Sequence, residues 1–237
     1  MMPGLLPHLR ELRRRLIWIV ATYLLGVVLV MSFSDVAFQF ISQPVRAALP
    51  PGTPLIFINA PDLFFTYLKI ALLLSLFLTA PITFYQFWAF VAPGLYRSER
   101  RTFLLTFAAS VVLLLAGAAF AFFVVFPLVF EFFFGLATDS IQALPAVREY
   151  LSLVLKLLFA FGLVFQIPLI VLLLVRLGLV ELSALAAKRR FVAVWAFIVA
   201  AILTPPDIIS QTLLALPMIA LYELGMLSAR WLVAVDE

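Results

Sequence analysis

Cysteine is absent from the 237 residues, and histidine occurs once, at position 8. Without thiols there is neither a disulfide framework nor a thiolate metal site, and one imidazole cannot build a histidine cluster. Several enzyme classes fall away with them, and no metal or other cofactor is expected. Charge is scarce too: 12% of residues are Asp, Glu, Lys or Arg, against roughly a quarter in soluble domains. What is abundant is apolar, at 66% hydrophobic residues and a mean hydropathy of +1.20. Such a chain belongs in a bilayer. Unpaired backbone amides are costly in hydrocarbon, so its apolar runs must form helices or a closed barrel. A barrel strand needs about 10 strictly alternating residues and a spanning helix about 20 apolar ones. No run here sustains alternation, which leaves helices. The net charge of +4 does not mark a nucleic-acid binder, because the basic residues sit in short clusters between apolar runs.

Six runs are long enough to consider: 16–33, 63–91, 103–126, 151–175, 191–203 and 208–229. The first follows Arg13, Arg14 and Arg15 and could be a secretory signal. It is longer than a signal core, lacks a nearby small-x-small cleavage site, and precedes five further apolar runs, so it is expected to be a retained span. The whole chain, 1–237, then reads as a single transmembrane domain, with 1–15 as an interfacial helix and 34–62 and 127–148 as outer loops. The fifth run covers 13 residues, about 20 Å of helix against a roughly 30 Å hydrocarbon core. Spans five and six are therefore expected to be short, with local membrane thinning or a re-entrant geometry around them. Segment 34–62 holds Pro44, Pro50, Pro51, Gly52, Pro54 and Pro61 between apolar residues, which predicts short helices and turns at the membrane surface.

Orientation follows from Lys and Arg in the short connections. Of the 16 basic residues, Arg10, Arg13, Arg14, Arg15, Arg97, Arg100, Arg101, Arg176, Lys188, Arg189, Arg190 and Arg230 share one side if the N-terminus is cytoplasmic. Arg46, Arg148, Lys69 and Lys156 are the exceptions. Both termini are then expected to be cytoplasmic.

Near the N-terminus, Leu5, Leu9, Leu12 and Leu16 recur at helical spacing while Arg10, Arg13 and Arg14 point elsewhere, giving an amphipathic interfacial helix. Glu11 is its one acid. It could pair with Arg14 or Arg15 at i+3 or i+4. In the loop from Pro93 to Arg101, Ser98 is a plausible N-cap, which would place Glu99 in the first turn of span three, where the helix dipole favours a carboxylate. The functional alternative is that Glu11 and Glu99 converge and bind a cationic ligand, because a carboxylate accepts a guanidinium through two parallel hydrogen bonds. Within the membrane zone Gln86, Gln166, Gln211 and Glu223 need partners, and interhelical bonds are the simplest supply. Pro81, Pro168 and Pro217 each remove a helix hydrogen bond and predict kinks in spans two, four and six. Thr204-Pro205-Pro206-Asp207 reads as a tight outer turn, with Asp207 able to cap the sixth span.

Taken in order, several segments resemble the TatC family. His8-Leu9-Arg10-Glu11-Leu12-Arg13-Arg14-Arg15-Leu16 is similar to the family's N-terminal signature. Pro81 and the stretch Tyr85-Gln86-Phe87-Trp88-Ala89-Phe90-Val91-Ala92-Pro93-Gly94-Leu95-Tyr96, with Glu99-Arg100-Arg101, resemble its second span and first cytoplasmic loop. Phe161-Gly162 and Phe165-Gln166-Ile167-Pro168 resemble its fourth span. Thr204-Pro205-Pro206-Asp207, Ser210-Gln211, Pro217 and Leu221-Tyr222-Glu223 resemble its last outer turn and sixth span. The resemblance covers essentially the whole chain.

This resemblance implies a six-helix, concave, glove-shaped all-α subunit of the twin-arginine translocase in the cytoplasmic (inner) membrane. It would bind the twin-arginine signal peptides of folded cargo and work with single-span TatA/TatB-type subunits under the protonmotive force, in multiple copies per complex and in contact with membrane lipid. No catalytic residue is implied. The family's signal-peptide contacts fall on Glu11 and Glu99, with Arg13, Leu95 and Tyr96 beside them. Pro44 and Phe64 match its important outer-loop and second-span positions, and Gln166, Asp207 and Glu223 are its further polar sites. One departure stands out: the polar residue of the fourth span is glutamate in many members and Gln166 here, which cannot ionise. A transporter using Lys69, Lys156 or Glu223 as ion sites would need repeat symmetry that the chain lacks. An intramembrane hydrolase would need a buried nucleophile or metal set, and His8 lies outside the spans.

Overall fold

The computed structural model describes residues 5–50, 53–59, 61–95, 100–135, 145–204 and 207–236, with side chains over 8–50, 53–59, 61–90, 103–135, 145–204 and 207–231. The described chain is almost entirely helical. In order come α1 (Leu5–Ser32), α2 (Ser34–Ile41), α3 (Gln43–Ala48), α4 (Asp62–Leu95), α5 (Arg100–Phe120), a π-helical turn (Ala121–Val125), α6 (Phe126–Phe134), α7 (Val147–Val164), α8 (Ile167–Arg176), α9 (Leu182–Ala187), α10 (Arg189–Leu203) and α11 (Ile208–Asp236). Among the described residues, five stretches are long and apolar enough to cross a membrane: His8–Ser32, Asp62–Phe90, Phe103–Phe134, Val147–Arg176 and Ile208–Trp231.

Proline explains most of the departures from the runs read by hydropathy. The stretch from 127, expected as outer loop, continues helically to Phe134. The π turn at Ala121–Val125 resets the hydrogen-bond register, so Pro127 enters in the first turn of α6, where a missing N–H costs nothing. The fourth run breaks at Phe165–Gln166, and Pro168 opens α8 in the same way. By contrast α4 runs on through Pro81 and Pro93, and α11 through Pro217. The turn expected at Pro93-Gly94 is therefore still helix, since a long apolar helix can absorb one lost bond within the bilayer. The sixth run is not short: α11 has 29 residues, because the helix continues past Arg230 through the apolar stretch 231–235 to Asp236. The fifth run lies in α10, whose 15 residues rise about 22 Å.

Two compact units divide the chain: 1–40 with 64–112, and 41–63 with 113–237. In the first, α1 meets α4 across small residues. A Cβ on Gly26 would lie 2.9 Å from Thr79 Cγ2 and 3.4 Å from Ser75 Cβ, which is how helices approach closely where lipid gives no hydrophobic drive for association. The hydroxyls of Ser75 and Thr79 donate to the carbonyls of Ala71 and Ser75, so they are buried without being orphaned. Tyr23 donates to the Leu72 carbonyl at 2.9 Å, and the Trp88 indole N–H to Ser110 Oγ at 2.8 Å.

The second unit is built on aromatic packing. Phe126, Val129 and Phe130 of α6 are buried with Tyr150, Leu151, Val154 and Phe161 of α7 and with Ile41 and Val45. Phe130 lies 5.3 Å from Tyr150, centroid to centroid. Segments 53–62 and 145–150 are pinned by polar bonds: Ile56 and Ala146 form a parallel bridge, with Val147 N–H to the Ile56 carbonyl at 2.7 Å. Asp62, almost fully buried, accepts Arg148 at 3.2 Å and both N–H groups of Asn59. Tyr150 donates to the Ile41 carbonyl at 2.7 Å. Tyr150→Phe would leave that buried carbonyl unpaired, costing about 1–3 kcal/mol. A lowered melting temperature of the purified protein in detergent is the expected result. The far end of this unit packs Val171, Leu185, Tyr222 and Met226 together, with Tyr222 donating to the Leu185 carbonyl at 2.8 Å.

Candidate functional site

The amphipathic start of α1 carries the first group of candidate residues. Glu11 and Arg15 stand one turn apart on one face. Arg15 donates twice to Glu11 Oε1, from Nη2 at 2.6 Å and from Nε at 3.0 Å. Its third donor, Nη1, reaches Gln86 Oε1 on α4 at 3.1 Å. The guanidinium thus bridges two helices of the same unit, and Gln86 finds its partner. His8 stacks on Phe90 at 4.4 Å, a second contact between the N-terminal turn and the end of α4. Arg13 is exposed and rims an apolar groove along α1 with Leu9, Leu12, Leu16 and Ile17.

The resulting surface can do one thing chemically. A carboxylate offers about four acceptor positions, and here two donors of one guanidinium occupy Oε1. Glu11 thus binds a guanidinium in this fold and keeps capacity for another donor. Leu95 closes α4. Tyr96 and Glu99 lie outside the described residues.

The remaining candidates are dispersed. Phe64 is exposed near the start of α4, edge-on to Phe65 at 5.6 Å. Pro44 is buried in the first turn of α3, which packs on α6. Gln166 sits at the break between α7 and α8, its carbonyl accepting Ile170 N–H at 3.0 Å. Asp207 caps α11, with Oδ1 accepting Ser210 N–H at 2.6 Å. Glu223 of α11 pairs with Arg189 of α10 at 2.7 Å, and Gln211 donates to the Phe197 carbonyl at 2.9 Å, so α10 and α11 are joined by polar bonds at two levels.

Gln86 is the member of the α1 cluster that the sequence does not join to Glu11, whereas Arg15 is one of the two partners that it offers. The i+4 spacing signals Arg15. Gln86 is 71 positions away, and no local pattern points to it.

The comparisons with known proteins agree throughout. A family model described as Sec-independent protein translocase protein (TatC) matches residues 7–217. The TatC proteins of Desulforapulum autotrophicum and Escherichia coli K12 are 41% and 40% identical, over 94% and 97% of this chain and 83% and 89% of their own lengths. The Aquifex aeolicus protein is 36% identical over 92% of this chain and 91% of its own. Among solved structures, a crystal structure of the twin-arginine translocase receptor TatC superposes with a TM-score of 0.84 at 35% identity, covering 94% of this chain and 98% of that one. With the helices, their breaks and the N-terminal signature all in place, this chain belongs to the TatC family, as a multi-pass membrane subunit of the Tat protein translocase and not an enzyme.

Proposed function

We propose that this chain receives twin-arginine signal peptides for the translocase, and that Glu11 and Glu99 each accept one arginine of the motif. The observation that carries the reading is the Glu11–Arg15 contact: the carboxylate already binds a guanidinium, with Gln86 alongside as a neutral acceptor. The solved structures that this chain resembles are of a twin-arginine translocase receptor, which fits the same role. Arg13, Leu95 and Tyr96 would flank the bound peptide. Lysine cannot substitute well, because its ammonium lacks the planar fork that engages a carboxylate bidentately.

The wider assembly follows from the same reading. Six spans in a concave, glove-like arrangement, with both termini in the cytoplasm, would receive folded cargo at the inner face of the cytoplasmic membrane. Single-span TatA/TatB-type subunits would join under the protonmotive force, in several copies. At about 22 Å, α10 is shorter than a roughly 30 Å hydrocarbon core. The membrane would thin beside it, and Lys188, Arg189 and Arg190 would snorkel to the interface. Pro44, Phe64, Gln166, Asp207 and Glu223 then serve as structural or partner-facing positions.

Site-specific crosslinking of a twin-arginine signal peptide in membranes tests the core of this proposal. Arg-Arg peptides are compared with Lys-Lys peptides on wild type, Glu11→Gln and Glu99→Gln. Crosslinking that falls with Lys-Lys and with either glutamine supports the two-carboxylate site. Equal crosslinking in every combination returns both glutamates to helix-stabilising roles.

A further inference from the structure

In the second unit, a cavity of about 500 Å3 opens between α6, α7 and the end of α10. Phe130, Phe133 and Leu153 form its apolar wall, and Glu149, Lys156 and Thr204 contribute polar groups. We infer that this cavity binds one phospholipid, with Lys156 holding the phosphate and Glu149 the ammonium of an amine-bearing headgroup.

The first reason is the position of Lys156. It lies five residues, about 7.5 Å, inside the apolar run that opens at Leu151, and it is exposed. Among the described residues no carboxylate pairs with it. A cation within a span faces a cavity or a counter-charge, and its stem lets the ammonium reach back toward the interface. Lipid phosphates stand at that level in every bilayer. The second reason is the order of charges. Glu149 and Lys156 are seven residues apart, two turns of one helix, so they line the same cavity about 10.5 Å apart along the axis. That is too far for an ion pair. The acid is at the helix end and the base is deeper. A phospholipid whose headgroup fills the cavity and whose chains continue past Lys156 along the exposed Phe159 and Leu163 of the same helix presents its charges in the matching sequence, amine outermost and phosphate next. A lipid with the opposite arrangement would be repelled at both ends. This inference does not depend on the signal-peptide reading, nor on which membrane face α7 starts from.

Native mass spectrometry of the purified full chain in detergent tests it, with phosphatidylethanolamine, phosphatidylglycerol or neutral diacylglycerol added. Wild type is expected to retain one phospholipid of either kind and no diacylglycerol. Lys156→Gln should weaken retention of both about tenfold, the loss expected for one charge-assisted bond, and Lys156→Arg should restore it. Glu149→Gln should weaken phosphatidylethanolamine alone. Leu153→Trp, which fills the cavity and leaves both charges in place, should reduce both. Melting temperatures without lipid are expected to be unchanged in the position-156 variants. Equal retention by wild type and Lys156→Gln would overturn the inference. So would displacement of the lipid by inorganic phosphate at equal concentration, which would mark a site for the free anion. Crosslinking from position 156 to a single-span partner, with no lipid retained, would replace it with a helix-docking face.

Discussion

Gly117→Val is expected to abolish accumulation of the folded protein. A Cβ at position 117 would overlap the Phe161 carbonyl oxygen and stand 2.9 Å from the Phe161 carbonyl carbon and 3.0 Å from Phe165 Cβ. The obstruction is backbone, so no rotamer change relieves it, and α5 would have to move off α7. Phe161 is fully buried and lies one turn before the break at Phe165–Gln166, so the displacement would pass straight into the aromatic core. Overpacking a well-fitted interior typically costs ~1–3 kcal/mol even where side chains can yield, and valine adds two methyls beyond the Cβ. Gly117→Ala isolates the contact: helix propensity favours alanine by about 1 kcal/mol, so a net destabilisation measures a clash larger than that. Gly178 is the control. It sits at φ +65 with nothing near a built Cβ, and Gly178→Ala should carry only the modest cost of a left-handed backbone. Fluorescence-detected size-exclusion chromatography and thermal melts in detergent read all three. A stable, monodisperse Gly117→Val would contradict the close approach of the two helices.

The second large effect concerns the carboxylate on α1. Glu11→Lys should reduce binding of a twin-arginine peptide by at least about a hundredfold, since it removes a charge-assisted acceptor and places a cation against the ligand. The informative variant is the exchange Glu11→Lys with Arg15→Glu, which restores an i,i+4 ion pair of reversed order on the same helix face. If Glu11 serves only the helix, the exchanged protein recovers function along with stability. If Glu11 receives the signal peptide, stability returns and binding does not. Arg15→Ala supplies the complementary measurement. Arg15 occupies one oxygen of the carboxylate that the peptide needs, and an i,i+4 helix pair of this kind is weak. Removing it should therefore tighten peptide binding by about twofold while loosening the link to Gln86. Titrating a fluorescent signal peptide against each variant gives the affinities. Weaker peptide binding by Arg15→Ala would show that Arg15 orients Glu11 for the ligand and does not compete with it.

Much of this architecture is legible in the order of residues. The apolar runs mark the membrane helices, because a bilayer demands about 20 apolar residues wherever backbone crosses it. Pro168 breaks the fourth run where its missing N–H predicts. The proline-rich segment 34–62 forms α2 and α3, short helices with Pro44 in a first turn. Helix ends are read less well. The sixth run reads as ending before Arg230 and the third before Pro127, whereas α11 continues for seven residues beyond Ala229 and α6 carries the third stretch past Pro127.

By itself, then, the sequence determined that this is a helical membrane protein, roughly where its helices lie, and to which family it belongs, since run length, proline positions and ordered motifs are all one-dimensional quantities. Only the tertiary structure decided which polar groups meet. Arg15 joins Glu11 to Gln86, Arg148 closes on Asp62, Glu223 takes Arg189, and Glu149 and Lys156 share a cavity. The physical reason is the solvent. Lipid tails are as apolar as leucine, so a helix face that packs against protein and one that faces lipid carry the same residues, and the few polar partners are chosen by helix contacts that span many tens of positions.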